Sequence, residues 1–127
     1  MKLILLALAL VSTSAFAWPS QSLSCSGEEG TWEGKPIYMK LDFQMLSPTR
    51  ASGTMSDSEA ANGPWTQGCT TQSSLQITPV NGLFEVAGSY VCVDNSGGQA
   101  VMMFDANAMT LSTNQNGSTT TYACQWQ

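Results

Sequence analysis

Four cysteines in a chain of 127 residues constrain this sequence more than any other feature, and two of them bracket a readable hairpin. The stretch from Cys69 to Cys92, CTTQSSLQITPVNGLFEVAGSYVC, reads as two β-strands joined by the turn Thr78-Pro79-Val80-Asn81-Gly82-Leu83. With Thr78 and Leu83 flanking a four-residue loop, Cys69 falls opposite Cys92, Ile77 opposite Phe84 and Leu75 opposite Val86. Apolar side chains then meet on one face near the turn, and such a face pins a strand register. Farther out, Ser73 meets Gly88 and Thr71 meets Tyr90. This register makes Cys69–Cys92 the expected first disulfide, which leaves Cys25–Cys124 as the second.

Disulfides need an oxidising compartment, and the N-terminus is consistent with one. Lys2 supplies a positive start, Leu3 to Val11 an apolar run and Ala15-Phe16-Ala17 a small-x-small cleavage site. Residues 1–17 are therefore expected to be a cleaved signal peptide, and 18–127 a single β-barrel domain. The apolar run is too short to span a membrane as a stable helix. Trp18, not a cysteine, follows the cleavage site, which argues against a lipid anchor there. A secreted or periplasmic protein is the expectation, with no membrane insertion once the leader is removed.

Charge narrows the partners. Without Lys2, only Lys35, Lys40 and Arg50 stand against nine carboxylates. An acidic domain lacks the basic footprint that nucleic acid requires, and an anionic membrane surface repels it.

Between the cysteines the sequence gives short alternating runs punctuated by Gly, Asn, Pro and Ser, an all-β pattern with no amphipathic helix. A first strand covers about Ser22 to Ser26, and Gly27 to Gly34 reads as a connecting segment that carries Trp32. The second strand is the clearest, because Ile37, Met39, Leu41, Phe43 and Met45 alternate with polar or amphipathic residues. After the turn Ser47 to Arg50 comes a strand over Ala51 to Ser56. A long loop over Asp57 to Gly68 contains Trp65. Beyond the hairpin, Asp94 to Gly98 turns into a strand over Gln99 to Phe104. The short turn Asp105-Ala106-Asn107 leads into Ala108 to Asn114. Asn116-Gly117 fits a two-residue type I′ turn, and its register places Leu111 opposite Tyr122 and Met109 opposite Cys124.

Eight strands with short connections predict a small antiparallel up-and-down β-barrel whose first and last strands pair and remove both edges. Cys25–Cys124 would then clamp the closing seam. A barrel of this size is either filled by side chains or hollow enough for one small ligand. The expected inward set is Met39, Met45, Met103 and Met109 with Phe43, Phe84 and Tyr90. Methionine suits either outcome, and a packed core is the plainer expectation.

The chemistry of the chain points away from catalysis. There is no histidine, and disulfides would consume every thiol. Without histidine or a Cys-x-x-Cys spacing, no zinc site is expected, and no cofactor is implied. Asp94-Asn95-Ser96-Gly97 has oxygen ligands and a glycine but lacks the spacing and bidentate acid of a calcium loop, so it reads as a hairpin turn. Glu28, Glu29 and Glu33 read as a solvated loop face. The candidate binding residues are Trp65 and Pro64 in the long loop, Glu59 beside them, and Trp32, since aromatic side chains at loop tips make effective anchors. For Trp65 the alternative is a ring folded back over one end of the core.

Gly30-Thr31-Trp32 near the start of such a barrel resembles the Gly-x-Trp strand opening of the lipocalin and avidin families. That resemblance implies an eight-stranded up-and-down barrel with a ligand in its mouth. Ala51-Ser52-Gly53 followed by Pro64-Trp65-Thr66-Gln67-Gly68 resembles the periplasmic C-type lysozyme inhibitors, although no tyrosine follows the Ser-Gly pair here. The expected function is an exported, non-enzymatic binding or inhibitor module acting through its loops on a protein partner. A small apolar ligand in the barrel interior is the alternative, and a structural envelope protein a further one.

Overall fold

The computed structural model describes residues 21–115 and 117–127, with only the backbone of Gln115. The expected signal peptide, Trp18 and Asn116 lie outside the described residues. Nine strands follow one another: β1 (Leu23–Trp32), β2 (Lys35–Ser47), β3 (Arg50–Ser58), β4 (Thr66–Thr71), β5 (Leu75–Val80), β6 (Leu83–Cys92), β7 (Gly97–Asp105), β8 (Thr110–Gln115) and β9 (Ser118–Trp126). All pairings are antiparallel, and β1 pairs with both β2 and β9, so the sheet closes on itself. β4 and β5 both lie between β3 and β6, as two halves of one stave. The barrel thus has the eight staves expected from the sequence, one of them broken.

The break corrects the hairpin register. Cys69 does face Cys92 and Thr71 faces Tyr90. Beyond Gln72, whose N–H donates to the Ser89 carbonyl at 2.9 Å, the chain spends Ser73 and Ser74 without advancing along β6. Ile77 therefore faces Val86, and Phe84 faces Pro79. The turn is the two-residue Asn81-Gly82, both at positive φ (52° and 81°), and not a four-residue loop. A type I′ turn matches the twist of the flanking strands, and Asn-Gly adopts it at low cost. Because the slip is two residues, every side chain stays on its expected face.

Other boundaries move as well. Gly27 to Trp32 belongs to β1, which pairs with β2 up to a two-residue turn at Glu33-Gly34. The long loop shrinks to residues 59–65 as β3 and β4 extend into it. The Leu111–Tyr122 pairing is present, and the Cys124 N–H donates to the Met109 carbonyl at 2.9 Å. Met103, expected inside, is half-buried on the outer wall between Glu85 and Ser112. Strand alternation gives the interior to its neighbours Met102 and Phe104.

The disulfides are Cys25–Cys124, across the β1–β9 seam, and Cys69–Cys92, across β4–β6. On the chain-entropy model these loops stabilise by roughly 5 and 3 kcal/mol respectively, large for a domain of this size.

Side chains divide the barrel into two ends. At the end holding the β2–β3, β5–β6 and β7–β8 turns, Leu23, Ala51, Ile77, Phe84, Val86, Phe104 and Leu111 are buried. The Phe84 and Phe104 rings lie 6.4 Å apart, and Trp126 meets Phe104 edge-on at 5.7 Å. This end is packed. Trp126 thus packs against the core at this end, whereas Trp32 is 68% exposed at the β1–β2 tip and packs against nothing of the core.

Candidate functional site

The opposite end, where the β1–β2, β3–β4, β6–β7 and β8–β9 connections lie, is hollow. A cavity of about 200 Å³ runs down from its mouth to Phe43, Leu75, Met102 and Tyr122, the top of the packed core. Met39, Leu41, Met55 and the Cys69 sulfur line its wall. Nearer the mouth the lining turns polar, through Thr71, Tyr90, Gln99, Thr113, Asn114, Thr120 and Glu29.

Two features of the strands make this space. The first is residue size: Gly53 occupies an inward position of β3 between Ala51 and Met55. The second is the sheet itself. β7 pairs with β6 from Gly97 to Phe104, but with β8 only from Met102 to Asp105. β1 likewise pairs with β9 only from Leu23 to Ser26. The β8–β9 hairpin is therefore splayed from both neighbours at the open end, and beyond the Met102–Thr113 pair Gln99, Ala100 and Val101 have no partner on β8.

Glu29 sits at a bulge. Glu28 faces Tyr38 and Gly30 faces Ile37, so Glu29 is the extra residue with no partner on β2. The alternation Leu23, Cys25, Gly27 turns this position inward, and Glu29 lines the cavity at its solvent-exposed rim. Partial desolvation there, and then the charge of Asp57, push its pKa upward. Among the described residues it makes no ion pair or hydrogen bond, the one salt bridge being Lys40–Asp42 at 3.5 Å. Tyr122, 2% exposed, points its hydroxyl at the Met39 sulfur at 3.7 Å. Burial and then the Glu29 charge raise its pKa, while a hydrogen bond with Thr113 works against that rise.

The residues singled out from the sequence gather at this same end but outside the cavity. Glu59 and Pro64 border a shallow surface groove with Ile37, Asp57, Ser58, Ala60 and Thr66. The loop holding them folds back along the outer wall, through a cis Gly63-Pro64 peptide and a Gly63 N–H donated to the Ala60 carbonyl. Trp65 is half-buried on that wall, its ring centre 5.3 Å from the Lys40 ammonium, and Lys40 faces the buried Ser56 across β2–β3. Its ring shields the outside of the barrel. Trp32 extends alone from the β1–β2 tip, opposite Lys35.

Sequence reasoning missed Glu29, Tyr122, Met55 and Met102 as lining residues. Continuing the alternation Leu23, Cys25, Gly27 would have reached Glu29 on the inner face. The Asp94 turn is occupied with itself: its carboxylate accepts from the Ser96 N–H at 3.0 Å and from the Ser96 hydroxyl, which lowers the Asp94 pKa. Among the described residues no group of three His, Cys, Asp or Glu side chains is placed to hold a metal.

Fold and cavity together define a small, disulfide-stapled antiparallel barrel, closed at one end and hollow at the other. No protein-family model, no curated protein and no solved structure matches the chain.

Proposed function

We propose that this chain is an exported, non-enzymatic binding protein that holds a small apolar ligand in the open end of its barrel. The observation that carries this reading is the cavity of about 200 Å³ between a packed floor and a polar mouth. A dry apolar cavity of about 150 Å³ accepts a benzene molecule, whereas drug-sized ligands occupy about 300 Å³ or more. One ring, or a short branched chain, is thus the scale of ligand that fits. Methionine at Met39, Met55 and Met102 gives the wall a deformable lining. The eight-stave barrel with a mouth is also what the Gly30-Thr31-Trp32 resemblance implies, and the two disulfides suit an oxidising compartment.

The methionines supply the test. In methyl-labelled protein titrated with toluene, the Met39, Met55 and Met102 signals should shift. Met45 and Met109, packed at the closed end, and Met103 on the outer wall should not. Shifts confined to Met103, or none at all, would sink this reading.

A protein partner is the second reading, favoured by Trp32, whose 68% exposure at a hairpin tip is unusual for so large an apolar ring. In that reading Trp32, Pro64 and Glu59 form the contact surface and Trp65 supports it from the barrel wall. Trp32→Ala should then weaken binding of a captured partner at least as much as Trp65→Ala, and unchanged affinity in both variants would exclude these loops.

A further inference from the structure

The mouth of the cavity says more about its ligand than the walls do. Its polar lining includes Thr71, Thr113, Thr120 and Tyr90 and a single carboxylic acid, Glu29; no lysine or arginine lines it. The bulge between Glu28 and Gly30 leaves Glu29 without a partner on β2, on the face that strand alternation turns toward the cavity. The two lysines of this end are held elsewhere. Lys40 lies on the outer wall, between Asp42 at 3.5 Å and the Trp65 ring, and Lys35 sits at the tip of the β1–β2 hairpin. Among the described residues Glu29 therefore has no cation of the protein to neutralise it, and Asp57 adds a second negative charge close by.

Resting on the reading of the cavity as a ligand site, we propose that its ligand is a small organic ammonium. A single apolar ring fills the space between Met39, Met55, Met102 and Tyr122, and the ammonium group donates to the Glu29 carboxylate at the mouth. The chemistry agrees from both sides. An ammonium has only donors to offer and needs acceptors, which Glu29 and the surrounding hydroxyl oxygens provide. Tyr90 adds an aromatic ring to the polar part of the lining, a group that attracts cations. An anionic ligand would meet Glu29 and Asp57 with no compensating positive charge, and the site rejects it.

Three probes of nearly equal size test this at pH 7: benzylamine, which is a cation there, benzyl alcohol and benzoate. Each is titrated against methyl-labelled protein with Met39, Met55 and Met102 as reporters. The expected order is benzylamine first, benzyl alcohol weaker by about tenfold, the scale of one charge-assisted hydrogen bond, and benzoate without saturable shifts. In Glu29→Gln the advantage of benzylamine over benzyl alcohol should vanish while the alcohol binds as before. Equal binding of amine and alcohol to the unmodified protein would overturn the ammonium proposal and leave the cavity reading standing. A benzylamine advantage that survives in Glu29→Gln would overturn the role of that carboxylate. If no probe moves the three methionines, both the proposal and the reading beneath it fall.

Discussion

Phe43 and Leu75 close on the same empty point: a Cβ built on Gly53 would stand 3.3 Å from Phe43 Cδ1 and 3.2 Å from Leu75 Cδ1. Gly53 is thus the position where the packed core ends and the cavity begins. Gly53→Ala asks two flexible side-chain ends to give by a few tenths of an ångström, and its expected effect on stability lies within about 1 kcal/mol in either direction. Gly53→Leu should fill the cavity floor, abolish the toluene-induced methionine shifts and cost about 1–3 kcal/mol from overpacking. Chemical denaturation gives the stability change, and toluene binding retained by folded Gly53→Leu would place the ligand elsewhere.

Glu29 and Tyr122 are both acids whose pKa is raised in the fold, so their titration acts on stability in one direction. The folded state binds these protons more tightly than the unfolded chain does. Unfolding therefore becomes easier as pH rises through each unfolded value, from about 4.5 upward for Glu29 and from about 10 upward for Tyr122. Below those values the protonated forms carry no such penalty. Glu29→Gln should raise the melting temperature at pH 7, remain neutral near pH 4 and flatten the fall in stability that begins above about 4.5. Asp57→Asn should act in the same direction by removing the nearby charge. A lower melting temperature for Glu29→Gln at pH 7 would show that the carboxylate is paired, not merely desolvated. A carboxylate that weakens the fold at neutral pH fits a group kept for binding.

The Tyr122 hydroxyl and ring separate cleanly. Tyr122→Phe removes a weak bond to the Met39 sulfur and the hydrogen bond with Thr113, with an expected cost of about 1 kcal/mol. Tyr122→Leu keeps apolar character but opens the wall beside Gly27, where a Cβ would stand only 3.2 Å from the Tyr122 ring. Its expected cost is larger, roughly 2–4 kcal/mol. Denaturant midpoints that put the two variants at equal stability would contradict the contact described.

The two bridges should differ in what they hold. Replacing Cys25 and Cys124 by Ser releases a loop of sequence separation 99 and the barrel seam, and should cost roughly 5 kcal/mol. Replacing Cys69 and Cys92 releases a separation of 23, with a cost of roughly 3 kcal/mol. The second change also alters the cavity wall, which Cys69 lines, so it should perturb the Met55 signal, Met55 being the residue that faces Cys69. Equal losses from the two pairs would mean that native contacts, not loop length, set their effect.

The barrel is legible in the sequence because alternation and cysteine position survive local errors. Placing the turn around Asn81-Gly82 two residues too wide sets Ile77 against Phe84 instead of Val86, an even step, so the inner face and the Cys69–Cys92 pair are unaffected. Odd steps are less forgiving. Apolar character alone suggests an inward Met103, although Phe104 beside it has the stronger claim and the two cannot share a face. The hollow end is not legible, since it arises from where pairing stops along β7 and β9, which leaves no mark in composition. Trp65 shows the same gap between residue type and position: its ring suggests an anchor, and its place over Lys40 follows from the path of the loop.

The turn itself gives the sharpest check of the corrected register. Asn81 and Gly82 hold φ of 52° and 81°, the left-handed region that a type I′ turn requires at both positions. A four-residue loop with Thr78 facing Leu83 would not demand both. Gly82→Ala should therefore cost about 1 kcal/mol or more through backbone strain alone, because a Cβ there meets nothing within 4 Å. Asn81→Ala should cost less than Asn81→Val, since a β-branched side chain fits the left-handed region worst. Gly82→Asn, which tolerates that region, should recover most of the loss. Amide chemical shifts across Pro79–Phe84 would report the register directly, and a Gly82→Ala variant as stable as the parent would point back to the longer loop.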